Sequence, residues 1–266
     1  MKKAYKLLDE ANEIFKEVYD SKNRKFKYLP EWNLNKAKYL KSEIELSTRK
    51  SHKVYKRGAL IFVDFGVNVG NELSGNHWAL VISKKDSFKN GSLTVIPITS
   101  KENRFTVQLD KTIGEPSQAM IDNYLRQKIL HFVGLGFIVS EVMENLLGPN
   151  SNEANLKRKK FLEQAIKDYT ITDQELKVTR QSIKFSTPEE VLQQLSNQSD
   201  DIAQLYAVRD SYEKYKKISY AKCMDITTIS KNRIIPVNKF DPVGKVKAST
   251  DTMMKIDKKI KENFTY

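Results

Sequence analysis

Apolar residues change their spacing along the chain, and these changes predict where helices and strands lie. In residues 4–20 and 31–47 they recur every three or four positions, which predicts two amphipathic helices. After Gly58 they gather in short runs rich in aliphatic and aromatic side chains. These runs predict four strands, at 59–65, 79–83, 92–100 and 104–109.

Short connections join the four predicted strands. The first connection, 66–75, carries three glycines and two asparagines, which is typical of a loop. The second connection ends in Asn90-Gly91, a dipeptide that is typical of β-hairpins. Strands joined this closely predict an antiparallel meander or a small barrel.

A helical pattern follows over roughly 100 residues. It predicts helices at 116–133, 136–147, 152–168, 172–183, 188–196 and 200–216. Their starts are marked by Ser151, by Thr172 with Glu175 three residues later as a capping box, and by Thr187-Pro188.

Strand patterns then return at 218–229 and 232–237, and a last helix is predicted at 248–262. This order predicts an α+β fold in which a helical insertion interrupts a β-domain. The predicted parts are a basic N-terminal helical extension (1–55), a β-domain built from 56–110 and 217–266, and the helical insertion (111–216).

The net charge of the 266-residue chain is +13, and the excess of basic residues lies near both ends. Such a charge favours RNA or DNA as a partner, although a general abundance of lysine gives the same total. The single cysteine, Cys223, excludes an intramolecular disulfide. The apolar stretch 129–139 is too short to span a bilayer and no secretory signal is visible, so we expect a cytoplasmic protein without membrane contact.

Few residue patterns point to an enzyme class. The three histidines, His52, His77 and His131, lie far apart and outside any metal-binding motif. No phosphate-binding glycine loop or nucleophile elbow is present. We therefore expect metal-free chemistry without a cofactor, at a site formed by the 66–77 loop and the end of the third predicted strand.

Residues in the strand region occur in the order of a known family. Arg57-Gly58 opens the first strand, Asp64 ends it, and Gly70 and Glu72 follow in the loop. The matching elements further along are Ile98-Thr99-Ser100, then Phe105, Val107 and Leu109, and near the end 223–234 and 253–264. Residues 56–110 and 218–264 thus resemble the MazF/PemK toxins.

The resemblance implies a small SH3-like antiparallel β-barrel of the MazF/PemK/CcdB type. It implies a metal-independent endoribonuclease that cuts single-stranded RNA, such as mRNA, within a toxin–antitoxin or phage-defence module. Members of the family use the RNA's 2′-OH as the nucleophile and leave 2′,3′-cyclic phosphate and 5′-OH ends. The implied partners are a cognate antitoxin, either protein or RNA, and a second copy of the chain in a homodimer.

Three positions depart from the family pattern. The loop serine is replaced by Asn71, the catalytic arginine by His77, and the following proline by Trp78. Because histidine titrates near neutral pH and arginine does not, we expect His77 to be a general acid or base. Thr99 is expected to orient or bind the phosphate, and Glu72 to be a base or to hold the loop.

Further residues are candidates for RNA binding. They are Asn71, Ser74, Ser100, Arg57, Lys101, Arg233 and Trp78. Each has an ordinary alternative: asparagine and serine form turns, scattered basic residues are solvated, and core packing is the favoured role of Trp78.

Two other functions remain open at this point. The loss of the family arginine is compatible with a catalytically inactive module that binds RNA or DNA. The chain is also compatible with a toxin of the CcdB type, which acts by binding another protein.

Overall fold

A computed structural model describes residues 2–45, 51–147 and 153–265. The described residues form seven α-helices and six β-strands. The helices are α1 (Lys2–Asp20), α2 (Leu29–Glu45), α3 (Gly114–Leu147), α4 (Glu153–Asp168), α5 (Asp173–Ser182), α6 (Pro188–Tyr212) and α7 (Thr250–Phe264). The strands are β1 (Leu60–Asp64), β2 (Asn76–Val81), β3 (Ser92–Thr99), β4 (Thr106–Gln108), β5 (Tyr220–Lys222) and β6 (Thr227–Ser230).

The six strands form one antiparallel sheet. Its order is β1-β2-β3-β5-β4, and β6 pairs with the first half of β3. Strand β3 therefore uses the same edge twice, with Ser92–Val95 against β6 and Ile98–Thr99 against β5. The α+β class is confirmed, but among the described residues the strand pairings leave the sheet open, so they do not confirm a closed barrel.

Most predicted helices match the structure. Thr172 caps α5 in a full capping box with Glu175, and Thr187 caps α6 with Pro188 in its first turn, as the sequence predicts. The end of the second predicted helix, residues 46–47, and the predicted helix start at Ser151 lie outside the described residues. None of the described helices combines the length and low charge of a membrane-spanning segment.

The predicted break near residue 135 is wrong, because α3 runs without interruption from Gly114 to Leu147. Glycine commonly ends helices, but Gly134 and Gly136 have another role here. A Cβ atom on Gly136 would lie 2.7 Å from the Leu162 side chain of α4. The two glycines let neighbouring helices approach α3 closely. The predicted gap at 197–199 is also wrong, since α6 is continuous.

Three strand predictions need correction. The run 218–229 is two strands, β5 and β6, separated by a tight turn in which the Asp225 amide donates to the Lys222 carbonyl at 2.9 Å. The run 232–237 is not a strand, because it begins in a 3₁₀ turn at Lys231–Arg233 and makes only a single bridge, from Ile234 to Val63. Strand β4 pairs with β5 rather than continuing the meander.

The chain separates into two compact units. One contains residues 1–113, 217–236 and 243–266, and the other contains 114–216 and 237–242. The first unit has its core on the sheet, where Ile61, Val63 and Ala79 are fully buried. The second has a helical core around Leu135 and Val191. The predicted domain boundaries remain a prediction.

Candidate active site

The β1–β2 loop is held by backbone hydrogen bonds at its base. Phe65 donates to the Gly75 carbonyl at 3.0 Å, and Gly75 donates to the Gly66 carbonyl at 2.6 Å. The Asp64 carboxylate, which is only 5% exposed, accepts from the Gly66 amide at 2.9 Å. Gly66 and Gly75 both have positive φ angles, which favour glycine because it lacks a Cβ atom. The base of the loop is therefore fixed.

Two polar side chains hold the inside of the loop. Asn68 donates from its amide group to the Phe65 carbonyl at 3.0 Å and to the Leu73 carbonyl at 2.7 Å. The Ser74 hydroxyl accepts from the Asn68 backbone at 2.9 Å and donates to the Glu72 carbonyl. Ser74 therefore has a structural partner on each side. Asn71 and Glu72 are exposed.

His77 lies in β2 directly after this loop and is partly buried. Its Nε2 atom is 3.0 Å from the Ser74 carbonyl oxygen, and its ring lies 6.5 Å from the Phe65 ring. Because a carbonyl oxygen only accepts, Nε2 carries the proton. In the neutral ring Nδ1 is then the basic atom.

The surroundings keep this ring neutral. Burial lowers the pKa of His77 below its ordinary value, and the positive charge of Lys222 lowers it further, while the hydrogen bond to Ser74 acts in the opposite direction. A neutral imidazole near pH 7 is suited to accept a proton.

Thr99 ends β3 beside His77. The register pairs Ala79 with Pro97, and extending it by two residues places His77 opposite Thr99. The Thr99 hydroxyl accepts from the Lys101 amide at 3.2 Å, so its own proton remains available for donation. Ser100 and Lys101 follow as exposed residues. The predicted pair of the loop and the end of β3 is therefore brought together.

A groove of about 610 Å³ opens beside the β1–β2 loop, and its lining residues include neither His77 nor Thr99. Asn71 and Glu72 line it from the loop, Pro97 from β3, and Asp225 and Thr227 from the chain around the start of β6. Asp225 forms an ion pair with Lys222, whose charge reaches His77. Neither Lys222 nor Asp225 belongs to a recognisable sequence motif. Only the pairing of β5 with β3, across more than 100 residues of sequence, brings Asp225 to the groove and Lys222 near His77.

Two other predicted RNA-binding residues have structural partners. Arg57 donates to the Ile82 carbonyl and forms an ion pair with Asp257 of α7. Trp78 is 6% exposed and packs on Phe62 with ring centroids 5.4 Å apart. The position of Trp78 favours core packing over stacking on a base.

Arg233 lies at the base of the loop and is partly buried. Its Nε atom donates to the Asp64 carbonyl at 2.7 Å, and its guanidinium lies 5.1 Å from the centre of the Trp32 ring. Burial lowers the pKa of Arg233, and the Asp64 charge opposes this effect. Its position next to the loop is compatible with the predicted phosphate contact.

The N-terminal helices contact the same loop. The Trp32 ring of α2 fills the space above Gly66, where a Cβ atom would lie 2.4 Å from the ring. Tyr39 donates to the Asp64 carboxylate at 3.3 Å, and Lys25 donates to the Gly70 carbonyl. Residues 25–39 therefore support the loop at its base and its tip.

Comparison with known proteins identifies the segment that holds this site. Residues 56–146 match the family model described as the PemK-like, MazF-like toxin of type II toxin–antitoxin systems. This segment, about a third of the chain, is therefore similar to the PemK/MazF-like toxins. A search of the curated proteins finds no match.

The PemK/MazF-like segment covers β1 to β4 and nearly all of α3, up to residue 146. It includes the loop, His77 and Thr99. It does not extend to 218–264, so the resemblance of the C-terminal residues to the family remains a prediction. The similarity of residues 56–146 to this family supports a toxin of a toxin–antitoxin system.

Proposed function

We propose that this PemK/MazF-like chain is a metal-independent endoribonuclease toxin that cleaves single-stranded RNA. The observation that supports it best is His77, a partly buried histidine with its Nδ1 as the basic atom, next to Thr99 at the end of the sheet. The surrounding loop is fixed by Asp64 and Asn68, so the histidine is held in position. Fixed positioning of an acid–base group contributes substantially to catalysis.

In the proposed reaction His77 Nδ1 removes the proton from the RNA's 2′-OH. The 2′-oxygen attacks the adjacent phosphorus and the bond from phosphorus to the 5′-oxygen breaks. The products have 2′,3′-cyclic phosphate and 5′-OH ends. The leaving 5′-oxygen takes up a proton from water, and Glu72, which lines the groove, assists as a base or holds the loop.

The phosphate needs hydrogen-bond donors as negative charge builds up on its oxygens. Thr99 is the proposed donor on the β3 side, because its hydroxyl is oriented by the Lys101 amide. Asn71, Ser100, Lys101 and Arg233 are proposed to contact the RNA backbone. Arg57, Trp78 and Ser74 have structural partners, and we assign them to the stability of the site.

The remaining features of the proposal follow from the family. The toxin acts in the cytoplasm, pairs with a cognate antitoxin and forms a homodimer. The sheet curls into an SH3-like barrel, and two isolated bridges, Val63 to Ile234 and Ala59 to Lys247, support this closure because both add a contact to the outer edge of β1.

The test is incubation of the purified chain with a long single-stranded RNA in EDTA, with products mapped by primer extension. We expect discrete cuts that His77→Ala and Thr99→Ala each slow by at least about 100-fold. His52→Ala is the matched control, because His52 packs on Gly91 and donates to the Phe88 carbonyl in the β2–β3 connection, away from the β1–β2 loop, and it should cut at the normal rate.

Two other results would point to the alternatives. RNA binding with steep salt dependence but no cutting would indicate an inactive nucleic-acid-binding module. Neither cutting nor RNA binding, together with a stable complex on a protein target, would indicate a toxin of the CcdB type.

A further inference from the structure

The proposed reaction needs a positive group at the phosphate, and residue 77 does not provide an arginine for this purpose. A cation near the scissile phosphate stabilises the charge of the transition state. Lys222 is the basic residue that the geometry brings to this position, and neither the sequence nor the family match assigns it a role.

Strand β5 brings Lys222 to the correct face of the sheet. The register pairs Thr99 with Tyr220, so Lys222 lies two residues further along, beside Pro97. Alternate residues of a strand point to the same face, and cross-strand neighbours share it. Thr99 and Pro97 on β3 therefore share a face with Tyr220 and Lys222 on β5, and the extended β2–β3 register adds His77 to this face.

The Lys222 side chain is held but not enclosed. A tight turn joins it to Asp225, and the two side chains form an ion pair. They are 28% and 33% exposed, so the ammonium group is accessible to a ligand. Asp225 lines this groove together with Glu72.

From this arrangement we propose that Lys222 binds the scissile phosphate of the RNA and stabilises the charge that develops on it. Asp225 holds the ammonium group at the groove and gives it up to the phosphate when RNA binds. This proposal rests on the endoribonuclease function proposed above. It assigns to a lysine on β5 the charge that the family draws from an arginine on the β1–β2 side.

The influence of Lys222 on His77 supports the same arrangement. Its positive charge contributes to the lowered pKa of the ring, after burial, so the two groups lie close enough to interact. A cation there has two effects that favour the reaction, since it attracts the phosphate and keeps the base unprotonated.

The test separates phosphate binding from cleavage. Binding is measured by fluorescence anisotropy with a 2′-O-methyl RNA, which lacks the nucleophile and stays intact. Lys222→Met should weaken binding several-fold and reduce the slope of log affinity against log salt by about 0.7, the value for one phosphate contact on a single strand. Lys222→Arg should retain most of the binding.

Asp225→Asn provides a result of opposite sign. It removes a carboxylate that competes with the phosphate for Lys222, so RNA binding should tighten roughly twofold to fivefold, as expected for a partly exposed ion pair. If Lys222 and Asp225 only stabilised the turn, both substitutions would weaken binding. Lys255→Met is the matched control, because Lys255 forms an exposed pair with Asp251 on α7; it should leave binding unchanged.

Cleavage kinetics complete the test. Lys222→Met should lower kcat/KM on an unmodified RNA by about 100-fold to 1000-fold. Unchanged affinity, salt slope and cleavage in Lys222→Met would overturn the proposal, as would weaker binding in both Lys222→Met and Asp225→Asn. A chain that binds RNA through Lys222 without cutting it would overturn the endoribonuclease function and keep the phosphate site. If the Lys222→Met variant cut RNA at the normal rate, the phosphate site would be overturned and the endoribonuclease function would be kept.

Discussion

Two lysine–aspartate pairs flank strand β6, and they differ in how far water reaches them. Before the strand, Lys222 and Asp225 are 28% and 33% exposed and lie beside the groove. After the strand, Lys231 and Asp86 are 4% and 0% exposed, with their charged atoms 2.8 Å apart. Within one unit, Lys222–Asp225 is therefore an open pair, accessible to water, and Lys231–Asp86 is a closed pair, shielded from water.

Further hydrogen bonds fix the two side chains of the closed pair. Lys231 also donates to the Ser87 carbonyl at 3.2 Å, and Asp86 accepts from the Tyr55 amide at 2.8 Å. Burial acts to raise the pKa of Asp86, but the hydrogen bonds from Lys231 and from the backbone together outweigh it and hold this pKa below its ordinary value. Burial and the Asp86 charge raise the pKa of Tyr55 to about 12. Removing one partner of a buried pair leaves an unpaired charge in the interior, which is costly, whereas a partly exposed charge keeps contact with water.

The largest expected effect is on the closed pair. Lys231→Met leaves the Asp86 carboxylate buried without its cation, which should lower the free energy of unfolding by about 3–5 kcal/mol. Urea denaturation monitored by circular dichroism measures the change. Replacing Asp86 by leucine in the same chain should recover much of the loss, because an apolar pair leaves no unpaired charge. A loss below about 1 kcal/mol in Lys231→Met would mean that the pair is not closed to water.

Disrupting the Lys222–Asp225 pair should have little effect on stability. Lys222→Met should change the free energy of unfolding by less than about 1 kcal/mol, since partly exposed ion pairs contribute little. The same denaturation experiment measures it, beside Lys255→Met as an exposed control. If Lys222→Met destabilised the protein as much as Lys231→Met, the contrast between the two pairs would be wrong.

The smallest effect concerns the pH dependence of stability. Since burial lowers the pKa of His77 in the folded protein below its unfolded value of about 6.5, the unfolded state takes up the proton more readily. Stability should therefore be highest above pH 6.5 and decrease as the pH falls below it. His131, whose pKa burial also lowers, adds an effect of the same sign. His77→Gln in a chain that already carries His131→Gln should flatten the curve between pH 6.5 and 5, and an unchanged slope would contradict the burial of the ring.

Local signals in the sequence predicted the parts of the fold that depend on neighbours along the chain. The spacing of Thr172 and Glu175 predicted a capping box because both groups belong to one helical turn. The apolar runs and Asn90-Gly91 predicted the antiparallel order β1-β2-β3, since adjacent strands with short connections pair. His77 and Thr99 could be placed at the same end of the sheet for the same reason.

The remaining parts depend on contacts between distant residues. The break predicted near residue 135 was wrong, and only the Leu162 side chain that packs on Gly136 shows why glycine is present there. No local sequence pattern pointed to a functional role for Lys222, because its position near His77 follows from the pairing of β5 with β3. Trp32 likewise reaches Gly66 and Arg233 only through the docking of α2 on the loop.

The most direct test of the proposed function uses the RNA as the variable. An RNA that the chain cuts in EDTA is compared with the same RNA carrying a single 2′-deoxy nucleotide on the 5′ side of the cut. The proposed mechanism predicts that the substituted RNA stays intact at that bond, while the unmodified RNA yields 2′,3′-cyclic phosphate and 5′-OH ends. Cutting of the substituted RNA at the same bond would contradict attack by the 2′-OH and with it the proposed role of His77.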